Sequence, residues 1–254
     1  MPEFEKIKLS ILIHCYNNED TIRELLENVK WADEIVICDS FSTDKTLEIC
    51  REYTDKIYQY EHKNSADQKN WAIPKCKYDW ILQVDTDERL TDQLIEEVKE
   101  LLKETNIKFE AFKIPFKNYL FGKWIKGANN YPDYHERLFR RHLRFENKKI
   151  HAHLMVSGEV GILKSHILHI GWEDMQTIIR RFRRHRRLCL LQKKYQGNNY
   201  KFYHLVLRPP AMFLFLFFFK RGFIDGWRGV FFCGFFALLD FYVLKDFLFL
   251  RNKI

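Results

Sequence analysis

The stretch Trp80-Ile-Leu-Gln-Val-Asp-Thr-Asp-Glu-Arg-Leu90 decides the fold class, because it joins a run of apolar residues directly to a cluster of acidic ones. Its first five residues predict a strand, and the carboxylates that follow would lie at the carboxyl end of that strand. In open α/β sheets, ligands bind at this end of the strands. Carboxylates clustered there would hold Mg2+ or Mn2+, which prefer oxygen ligands. The alternative is a solvated turn before a helix that starts near Thr91.

Outward from this stretch, strand and helix patterns alternate along the first hundred residues. Three further β-type runs precede it, at Leu9–His14, Glu34–Cys38 and Lys56–Tyr60. Apolar residues recur at helical spacing between and after the strands, first at Ile22, Leu25, Leu26 and Val29, then at Leu94, Val98, Leu101 and Leu102. This alternation predicts an α/β fold with a parallel sheet built from βαβ units.

The remainder of the chain changes character twice. From Glu110 to about Ile170 the pattern is less regular, with strands predicted at Ala111–Phe116 and Ile162–Ile170. Met175–Tyr195 has the spacing of a long helix. Two consecutive prolines at 209 and 210 then predict a break before an aromatic-rich tail.

Polar side chains follow the first two predicted strands as well. The first strand ends in residues 14–19, His-Cys-Tyr-Asn-Asn-Glu, and the second in residues 39–44, Asp-Ser-Phe-Ser-Thr-Asp. Tyr16 could pack on a nucleotide base, and Asp39 could accept a hydrogen bond from a base N–H group. Asn17, Ser42 or Thr43 could instead cap the next helices, which is compatible with contacting a ligand.

The ordered segments ILIHCYNNE, EIVICDSFSTDKT, ADQKN and WILQVDTDERL closely resemble the family 2 glycosyltransferases. Downstream, YPDYHERLFRR, ILHIGW and RGFIDGWRG are similar to the lipopolysaccharide-core glucosyltransferase branch of that family. The resemblance covers nearly the whole chain. It implies a GT-A (Rossmann-like) nucleotide-sugar-binding domain, inversion at the anomeric carbon, a divalent metal (Mg2+ or Mn2+) and a UDP-sugar donor.

The resemblance also implies roles for residues at the strand ends. It places the uridine against Cys15, Tyr16, Glu19 and Asp39. Lys69 would lie near the diphosphate, Asp85 would touch the ribose or the sugar, and Asp87 would bind the metal. The sugar itself stays open between glucose, which the resemblance favours, galactose and an N-acetylhexosamine. GDP and dTDP remain alternatives to UDP.

Inverting transfer needs a base that takes the proton of the attacking acceptor hydroxyl. By resemblance this base is Asp133, with Glu136 as the second candidate and Arg137 as a diphosphate contact. The alternative for Asp133 is a turn carboxylate after Pro132. Relatives carry a His-Glu pair some fifteen residues further on, whereas this chain has Ala152 at the second position, so a carboxylate function there is absent.

Most of the histidines are not predicted to have a functional role. His151 and His153 alternate in a strand-like register and are candidate acceptor contacts. The others of interest are expected to be structural, without a catalytic or metal-binding role: His14, His62, His166 and His169.

The predicted organisation is a catalytic domain at 1–172 and a helical, membrane-associating extension at 173–254. Within the first, residues 1–104 form the nucleotide-sugar half and 105–172 the acceptor half. Six arginines between 180 and 187 are too many for one helix face and would wrap much of the helix. The apolar run at 212–219 is too short to span a bilayer, which favours helices that lie in the interface.

Charge and cysteine content indicate the cellular compartment and the binding partners that we expect. The net charge is +8, and basic residues flank the aromatic tail at Arg208, Lys220, Arg221, Arg228 and Arg251. They favour an anionic lipid surface at the inner leaflet. The resemblance to the lipopolysaccharide-core branch implies a lipid-linked glycan as acceptor. Nucleic acid is the weakest partner, because no RNA-binding motif is present. No targeting segment is visible, and six cysteines without CxxC pairing favour reduced thiols in the cytoplasm.

Two other functions stay open on the residues alone. One is a nucleotidyltransferase, which would use metal-binding aspartates on a similar sheet, although no Gly-rich phosphate loop follows the first strand. The other is a non-catalytic, basic membrane-binding module with a degenerate enzyme fold. A membrane-bound hexosyltransferase explains the acidic strand ends and the basic, aromatic tail together.

Overall fold

A computed structural model describes residues 7–104, 106–147, 152–195 and 200–249. The chain divides into two compact units. The first comprises Met1–Phe116 and Tyr134–His169, and the second Lys117–Asp133 and Ile170–Ile254. Residues 117–133, which were predicted within the acceptor half, thus group with the C-terminal helices. The predicted boundary of the catalytic domain at 172 stays a prediction.

The first unit begins with four parallel strands, β1 to β4, that cross over through helices. The strands are β1 Leu9–Cys15, β2 Glu34–Asp39, β3 Ile57–Gln59 and β4 Trp80–Asp85. The helices are α1 Ile22–Val29, α2 Thr46–Arg51, α3 Ser65–Ala72 and α4 Asp92–Leu101. β1 lies between β2 and β4, and apolar clusters cover both faces of the sheet. Strands buried on both faces explain the nearly continuous apolar runs of β1 and β2.

A second set of strands extends this sheet. It comprises β5 Glu88–Leu90, β6 Ala111–Leu120, β7 Lys123–Trp124, β8 Asp133–Arg140, β9 Arg144–Phe145, β10 Leu154–Met155, β11 Val160–Ile162 and β12 Ile167–Trp172. The sheet order is β3-β2-β1-β4-β8-β6-β12-β5, with β7 and β11 also paired to β6. β9 and β10 pair separately. β8 runs antiparallel beside β4, which places its side chains next to the acidic stretch.

The four parallel strands and helices α1 and α4 confirm the sequence predictions to within two residues. The single strand predicted at 162–170 is wrong, because the structure has two strands, β11 and β12, joined by a turn. The backbone N–H groups of Lys164 and Ser165 donate to the Glu97 carboxylate of α4 at 2.9 and 2.8 Å. These bonds take the turn out of the sheet. β8 was missed, because its first four residues are mostly polar.

The second unit contains three helices around an aromatic core. They are α5 Met175–Tyr195, α6 Phe202–Leu214 and α7 Trp227–Phe249. A π-helical segment Phe215–Phe219 continues α6, and a 3-10 turn Gly222–Asp225 leads into α7. Buried residues of α7, such as Phe235 and Val243, form the centre of the core.

Ion pairs connect these three helices. Arg186 of α5 makes two hydrogen bonds, at 2.5 and 2.6 Å, with the carboxylate of Asp246 on α7. Asp240 on α7 lies 3.1 Å from the Arg208 guanidinium of α6 and 3.6 Å from the Lys193 ammonium of α5. Both aspartates are buried, so the pairs compensate charges that water does not reach.

The predicted break at the two prolines is wrong. Pro209 and Pro210 lie inside α6, where their fixed φ is compatible with the helix and the cost is the loss of two backbone N–H donors. The length argument against a spanning helix is also wrong, since the apolar helical segment begins at Phe202 rather than at 212. Phe202–Phe219 is long and apolar enough to cross a membrane, and only 11% of this segment is buried.

The six arginines of α5 differ in their exposure and in what they contact. The exposed ones lie three or four residues apart and therefore form a single stripe, Arg180, Arg183, Arg184 and Arg187. Arg181 instead stacks over the Trp172 ring at 5.4 Å, and Arg186 pairs with Asp246. Arg208 and Arg228, expected to flank the tail, make internal contacts with Asp240 and with backbone carbonyls. Arg251 lies outside the described residues.

Candidate active site

The acidic stretch forms a tight turn at the carboxyl end of β4. β4 ends at Asp85, and β5 begins only three residues later at Glu88. The buried Arg89 guanidinium donates to the carbonyls of Thr86 at 3.0 Å, Glu88 at 2.7 Å and Thr21 at 2.9 Å. One cation therefore satisfies three backbone acceptors and fixes the turn that carries the carboxylates.

Arg137, on β8, binds both carboxylates that flank this turn. Its Nη2 donates to Asp85 Oδ2 at 2.9 Å and to Glu88 Oε1, while its Nη1 donates to Gln83 Oε1. Gln83 in turn donates to Asp85 Oδ1 at 2.8 Å. The side chain of Glu88 is 3% exposed and that of Asp85 is 39% exposed. Glu88 thus binds the arginine inside the protein, whereas Asp85 keeps part of its side chain accessible.

The electrostatics separate these two carboxylates. Burial disfavours ionisation of Asp85, but the charges of Arg137 and Lys69 outweigh it and hold the pKa of Asp85 below its usual range. Burial raises the pKa of Glu88 to about 7, against the attraction of Arg137 and with repulsion from Asp85. The pKa of Arg137 is raised by both carboxylates despite its burial. Asp85 is therefore a permanent anion at neutral pH.

Asp87 lies next to a histidine that the sequence did not indicate. His169 of β12 is paired in register with Glu88 of β5, and its Nε2 lies 3.3 Å from Asp87 Oδ2. Both side chains are partly exposed. A carboxylate oxygen and an imidazole nitrogen are suitable ligands for Mn2+. The antiparallel pairing of β12 with β5 brings His169 to Asp87, and the expectation that His169 is structural stays a prediction.

This pair fits a metal only together with a ligand. Within the described ranges, no group of three His, Cys, Asp or Glu side chains surrounds a common point. Divalent ions of this class are commonly held by one or two protein ligands and completed by substrate phosphates and water. The donor set of Asp87 and His169 fits a metal that binds with a diphosphate.

Asp39 and Cys15 lie together at the ends of β1 and β2. Asp39 is fully buried and accepts hydrogen bonds from the Ser42 N–H at 3.0 Å, the Ser42 hydroxyl, and Gln59 Nε2 at 3.1 Å. The Cys15 thiol lies 3.6 Å from its Oδ1. Asp39 therefore organises the loop after β2, and any bond that it makes to a base adds to this network.

Tyr16 and Glu19 lie in the loop after β1, which is joined to the loop after β2. Tyr16 is 57% exposed, so its ring is available to a ligand. Glu19 accepts from the Lys45 N–H at 3.0 Å, and Asn17 Oδ1 accepts from the Thr43 N–H at 2.8 Å. These bonds join the loops that follow β1 and β2, and the nucleotide contacts expected of Tyr16 and Glu19 stay predictions.

Lys69, on α3, contributes a cation to the same edge. Its ammonium lies over the Phe145 ring at 4.7 Å. Burial and the charge of Arg137 lower its pKa to about 8, while Asp85 opposes this shift. His14, opposite Asp85 in the pairing of β1 with β4, has a pKa lowered to about 3 by burial and by Lys69. His14 is therefore neutral and leaves the positive charge to Lys69 and Arg137.

The two candidate bases lie in different units. Asp133 is the first residue of β8 rather than part of an isolated turn, and in the second unit it accepts from Asn118 Nδ2 at 3.0 Å. Glu136 belongs to the first unit and lies 3.5 Å from the Lys113 ammonium. Ala152 packs against an apolar cluster of the first unit, and His153 directly precedes β10. His151 lies outside the described residues.

A model of a known protein family matches most of the chain. The model described as "Glycosyl transferase family 2" matches residues 10–171. The chain belongs to glycosyl transferase family 2. The matched range includes the strand ends described above, and membership identifies the protein as an enzyme, a glycosyltransferase. This decides against the nucleotidyltransferase and the non-catalytic module.

Two curated relatives extend this comparison. The lipopolysaccharide core biosynthesis glycosyltransferase LpsC of Rhizobium meliloti (strain 1021) is 31% identical over 221 residues, which is 84% of this chain and 82% of LpsC. An uncharacterized glycosyltransferase of Rickettsia bellii (strain RML369-C) is 35% identical over 107 residues, 42% of this chain and 36% of that protein. The similarity to LpsC thus covers more of the chain than the family 2 region does.

The solved structures confirm the fold. The mannosyltransferase PcManGT of Pyrobaculum calidifontis, in complex with GDP-Man and Mn2+, matches with a TM-score of 0.51 at 15% identity, over 78% of this chain and 66% of that chain. At this identity the likeness speaks for the fold alone. The family 2 match and this likeness together confirm the predicted GT-A fold.

Proposed function

We propose that this protein is an inverting hexosyltransferase that moves glucose from UDP-glucose to a lipid-linked or lipopolysaccharide-core glycan. The observation that carries the proposal is the grouping of Asp85, Arg137 and Glu88 with the Asp87–His169 pair at the carboxyl ends of the strands. The printed function of LpsC supports the acceptor class. The donor nucleotide follows from the resemblance of the strand-end motifs.

Asp87 and His169 would hold a divalent metal, Mg2+ or Mn2+, since their oxygen and nitrogen atoms lie 3.3 Å apart and both side chains are accessible. When bound, such an ion neutralises the negative charge that develops on a diphosphate leaving group.

The remaining residues bind and orient the donor. Lys69 contributes a positive charge near the diphosphate, and Asp85 accepts from hydroxyl groups of the ribose or the sugar. Asp85 is suited to this role because it stays ionised and keeps much of its carboxylate accessible. Tyr16 covers the uracil ring, while Cys15, Glu19 and Asp39 line its edge. Arg137 acts on the diphosphate and at the same time fixes the direction of the Asp85 carboxylate.

Asp133 takes the proton of the acceptor hydroxyl as its oxygen attacks the anomeric carbon and the bond to the diphosphate breaks. The Asn118 amide donates to Asp133 Oδ2 at 3.0 Å and thereby orients the carboxylate. Glu136 is the second candidate, and it lies 3.5 Å from the Lys113 ammonium.

We place the enzyme at the inner face of the cell membrane. The helical segment 202–219 presents a continuous exposed apolar stripe of ten residues: Phe202, Tyr203, Val206, Leu207, Pro210, Ala211, Leu214, Phe215, Phe218 and Phe219. Exposed cations at Lys220 and Arg221 and on the arginine stripe of α5 are complementary to anionic headgroups. A lipid-linked acceptor would be reached most directly from such a surface.

Calorimetric titration tests the donor site. Purified protein is titrated with UDP, UDP-glucose, UDP-galactose, UDP-N-acetylglucosamine and GDP-mannose, with and without Mn2+. We expect metal-dependent binding that is tightest for UDP-glucose and is lost in Asp87→Ala. The matched control is Asp92→Ala, which removes an exposed carboxylate five residues away at the start of α4.

The outcomes separate the parts of the proposal. Full binding by Asp87→Ala in the presence of Mn2+ would remove the metal-ligand role, and preference for another sugar would replace glucose. Membranes from a strain that lacks the gene then serve as acceptor with radiolabelled UDP-glucose. Label that enters the glycolipid fraction with the β-configuration supports inverting transfer, and the α-configuration would contradict it.

A further inference from the structure

The segment that leads to Asp133 is a loop with unusual backbone geometry. Between β6 and β8, three residues other than glycine adopt left-handed φ angles: Phe121 at 48°, Ala128 at 52° and Asn129 at 69°. Such conformations cost free energy and persist only where surrounding contacts impose them. The contacts that impose them here come from the second unit itself, in the motif Arg221-Gly-Phe-Ile-Asp-Gly-Trp-Arg-Gly229.

Asp225 is the first of these anchors. Its carboxylate accepts from the backbone N–H groups of Lys126, at 3.0 and 3.1 Å, and of Gly127 at 2.7 Å. A carboxylate that receives two backbone N–H groups makes strong, charge-assisted bonds. The neighbouring Ala128 N–H donates to the Lys220 carbonyl at 2.7 Å. Three consecutive backbone donors of the loop are therefore held by the turn before α7.

Arg228 is the second anchor. Its Nε donates to the Leu120 carbonyl at 3.1 Å and its Nη2 to the Phe121 carbonyl at 3.0 Å. These carbonyls lie where β6 ends and the loop begins. Arg228 thus fixes the start of the loop, and Asp225 fixes its middle.

Glycine is required where the loop and the motif approach each other. A Cβ atom at Gly127 would lie 2.2 Å from the Arg221 carbonyl oxygen of the motif. Within the motif itself, one at Gly229 would lie 1.8 Å from the Gly222 carbonyl oxygen. Both contacts are with backbone, which cannot move aside as a flexible side chain can. The loop and the motif therefore pack with their backbones in direct contact.

Hydrogen bonds within the loop continue from these anchors to Asp133. The Gly127 carbonyl accepts from the Asn130 N–H at 3.0 Å and from Asn130 Nδ2 at 2.9 Å. The Asn118 carbonyl accepts from the Ile125 N–H at 3.0 Å, and the same Asn118 donates to Asp133 Oδ2 at 3.0 Å. Asp225 is thus connected to the candidate base through hydrogen bonds and a short stretch of loop backbone, and Arg228 holds the backbone two residues after Asn118.

We propose that Asp225 and Arg228 are positioning residues for transfer, which hold the loop 121–131 and thereby fix the carboxylate of Asp133. The proposal rests on the assignment of Asp133 as the base. It gives the RGFIDGWRG motif a part in the reaction, although none of its side chains is assigned to donor, metal or base. The predicted consequence is specific: loss of an anchor lowers the rate of transfer and leaves the donor site of the first unit unchanged.

Hydrogen exchange tests the structural part without any substrate. In Asp225→Asn one acceptor oxygen becomes an NH2 group that faces a backbone N–H. We expect the amides of 121–131 to exchange about tenfold faster, because a charge-assisted bond is lost. The matched control is Asp174→Asn, which removes the same charge in the same unit at the cap of α5, where asparagine caps equally well. Unchanged exchange in Asp225→Asn would overturn the proposal.

Kinetics test the catalytic part with UDP-glucose and membranes of the deletion strain as acceptor. We expect kcat to fall about tenfold in Asp225→Asn and in Arg228→Gln, with the calorimetric Kd for UDP unchanged and the melting temperature near that of Asp174→Asn. Asp225→Glu keeps the charge and should recover part of kcat. A rise in the Kd for UDP with unchanged kcat would show a general structural role and contradict the proposal.

A double-mutant cycle separates this inference from the base assignment. If Asp225 acts through Asp133, then Asp133→Asn combined with Asp225→Asn is no slower than Asp133→Asn alone. If the double variant is slower than Asp133→Asn by the same factor that Asp225→Asn alone causes, the positioning role is contradicted. If Asp133→Asn itself retains full transfer, the base assignment fails, and the same cycle with Glu136→Gln shows whether the anchors act through that residue.

Discussion

Both units of this protein bury carboxylates against cations, and the two sets differ in what they leave accessible. In the first unit, Arg137 binds Asp85 and Glu88 at the carboxyl end of a central strand. In the second, Asp246 binds Arg186 in the middle of a helical bundle, and Asp240 lies among Arg208 and Lys193.

The two sets of ion pairs differ in how much of each carboxylate side chain stays accessible to a ligand. Asp246 and Asp240 are less than a tenth exposed and their partners close around them, so these pairs connect helices and offer nothing to a ligand. In the first unit both Glu88 and Asp85 accept hydrogen bonds from Arg137, but Asp85 keeps 39% of its side chain accessible. A buried ion pair therefore does not mark a site. The feature that indicates a ligand-binding site is an ionised group at a strand end that its partners hold in place and that stays accessible.

The largest effect that this comparison predicts is on Asp85. Asp85→Asn should lower transfer about 100-fold, since one or two hydrogen bonds between an ionised group and the donor are weakened, each by roughly 1.5–3 kcal/mol. The melting temperature should change little, because Arg137 keeps Glu88 and Gln83. Transfer rates and thermal unfolding check this in one preparation. A large loss of stability with normal kinetics would place Asp85 with the structural pairs of the second unit.

The fold of the first unit could be predicted from the sequence because local patterns determine it. Apolar runs for β1, β2 and β4 and helical spacing in α1 and α4 need no distant partner to be recognised. β8 was missed, since its polar first half looks like a loop until its pairing with β4 is known. The helix through Pro209 and Pro210 was missed because the local rule for proline is overridden by packing on α7.

The site was predictable only in part, for a similar reason. Asp85, Asp87 and Lys69 follow strands or belong to recognised segments, and these assignments stay predictions that experiments must test. The sequence shows Glu88 only as one more acidic residue of the stretch. Its contact with Arg137 becomes evident only when β8 is placed beside β4. No local signal indicates His169, because it reaches Asp87 through the antiparallel pairing of β12 with β5.

The second prediction concerns the structural pair. Asp246→Ala should destabilise the protein by about 2 kcal/mol, less than for a fully buried pair, because the side chain of Arg186 is 35% exposed and water can solvate it. The calorimetric Kd for UDP should be unchanged. Chemical denaturation measures the first quantity. A loss of donor binding without a loss of stability would show that the helical pairs are not purely structural.

The third prediction tests the exposed apolar stripe of the helical segment 202–219. Replacing both Phe218 and Phe219 by serine should reduce binding to vesicles of phosphatidylglycerol and phosphatidylethanolamine about tenfold, since two exposed aromatic side chains no longer enter the interface. Deletion of 211–254 would be a poor test, because α7 supplies much of the core.

The matched control for the lipid experiment removes the same number of exposed apolar side chains from the first unit, with Met155 and Ile162 replaced by serine. Sedimentation with vesicles measures both variants. Equal binding by the phenylalanine variant and the wild type would remove this segment from the lipid surface. Equal losses in both variants would indicate unspecific adsorption.

The smallest effect is a pH dependence that only the first unit should show. Lys69 has a pKa lowered to about 8 by burial and by Arg137, with Asp85 and Glu88 opposing the shift and a neutral His14 nearby. Its charge is therefore complete below pH 7 and is lost as the pH rises through 8. If that charge attracts the diphosphate, the KM for UDP-glucose should rise about fivefold between pH 7 and 9. Lys69→Arg keeps its proton throughout and should flatten this rise, whereas the same rise in Lys69→Arg would assign the titration to another group.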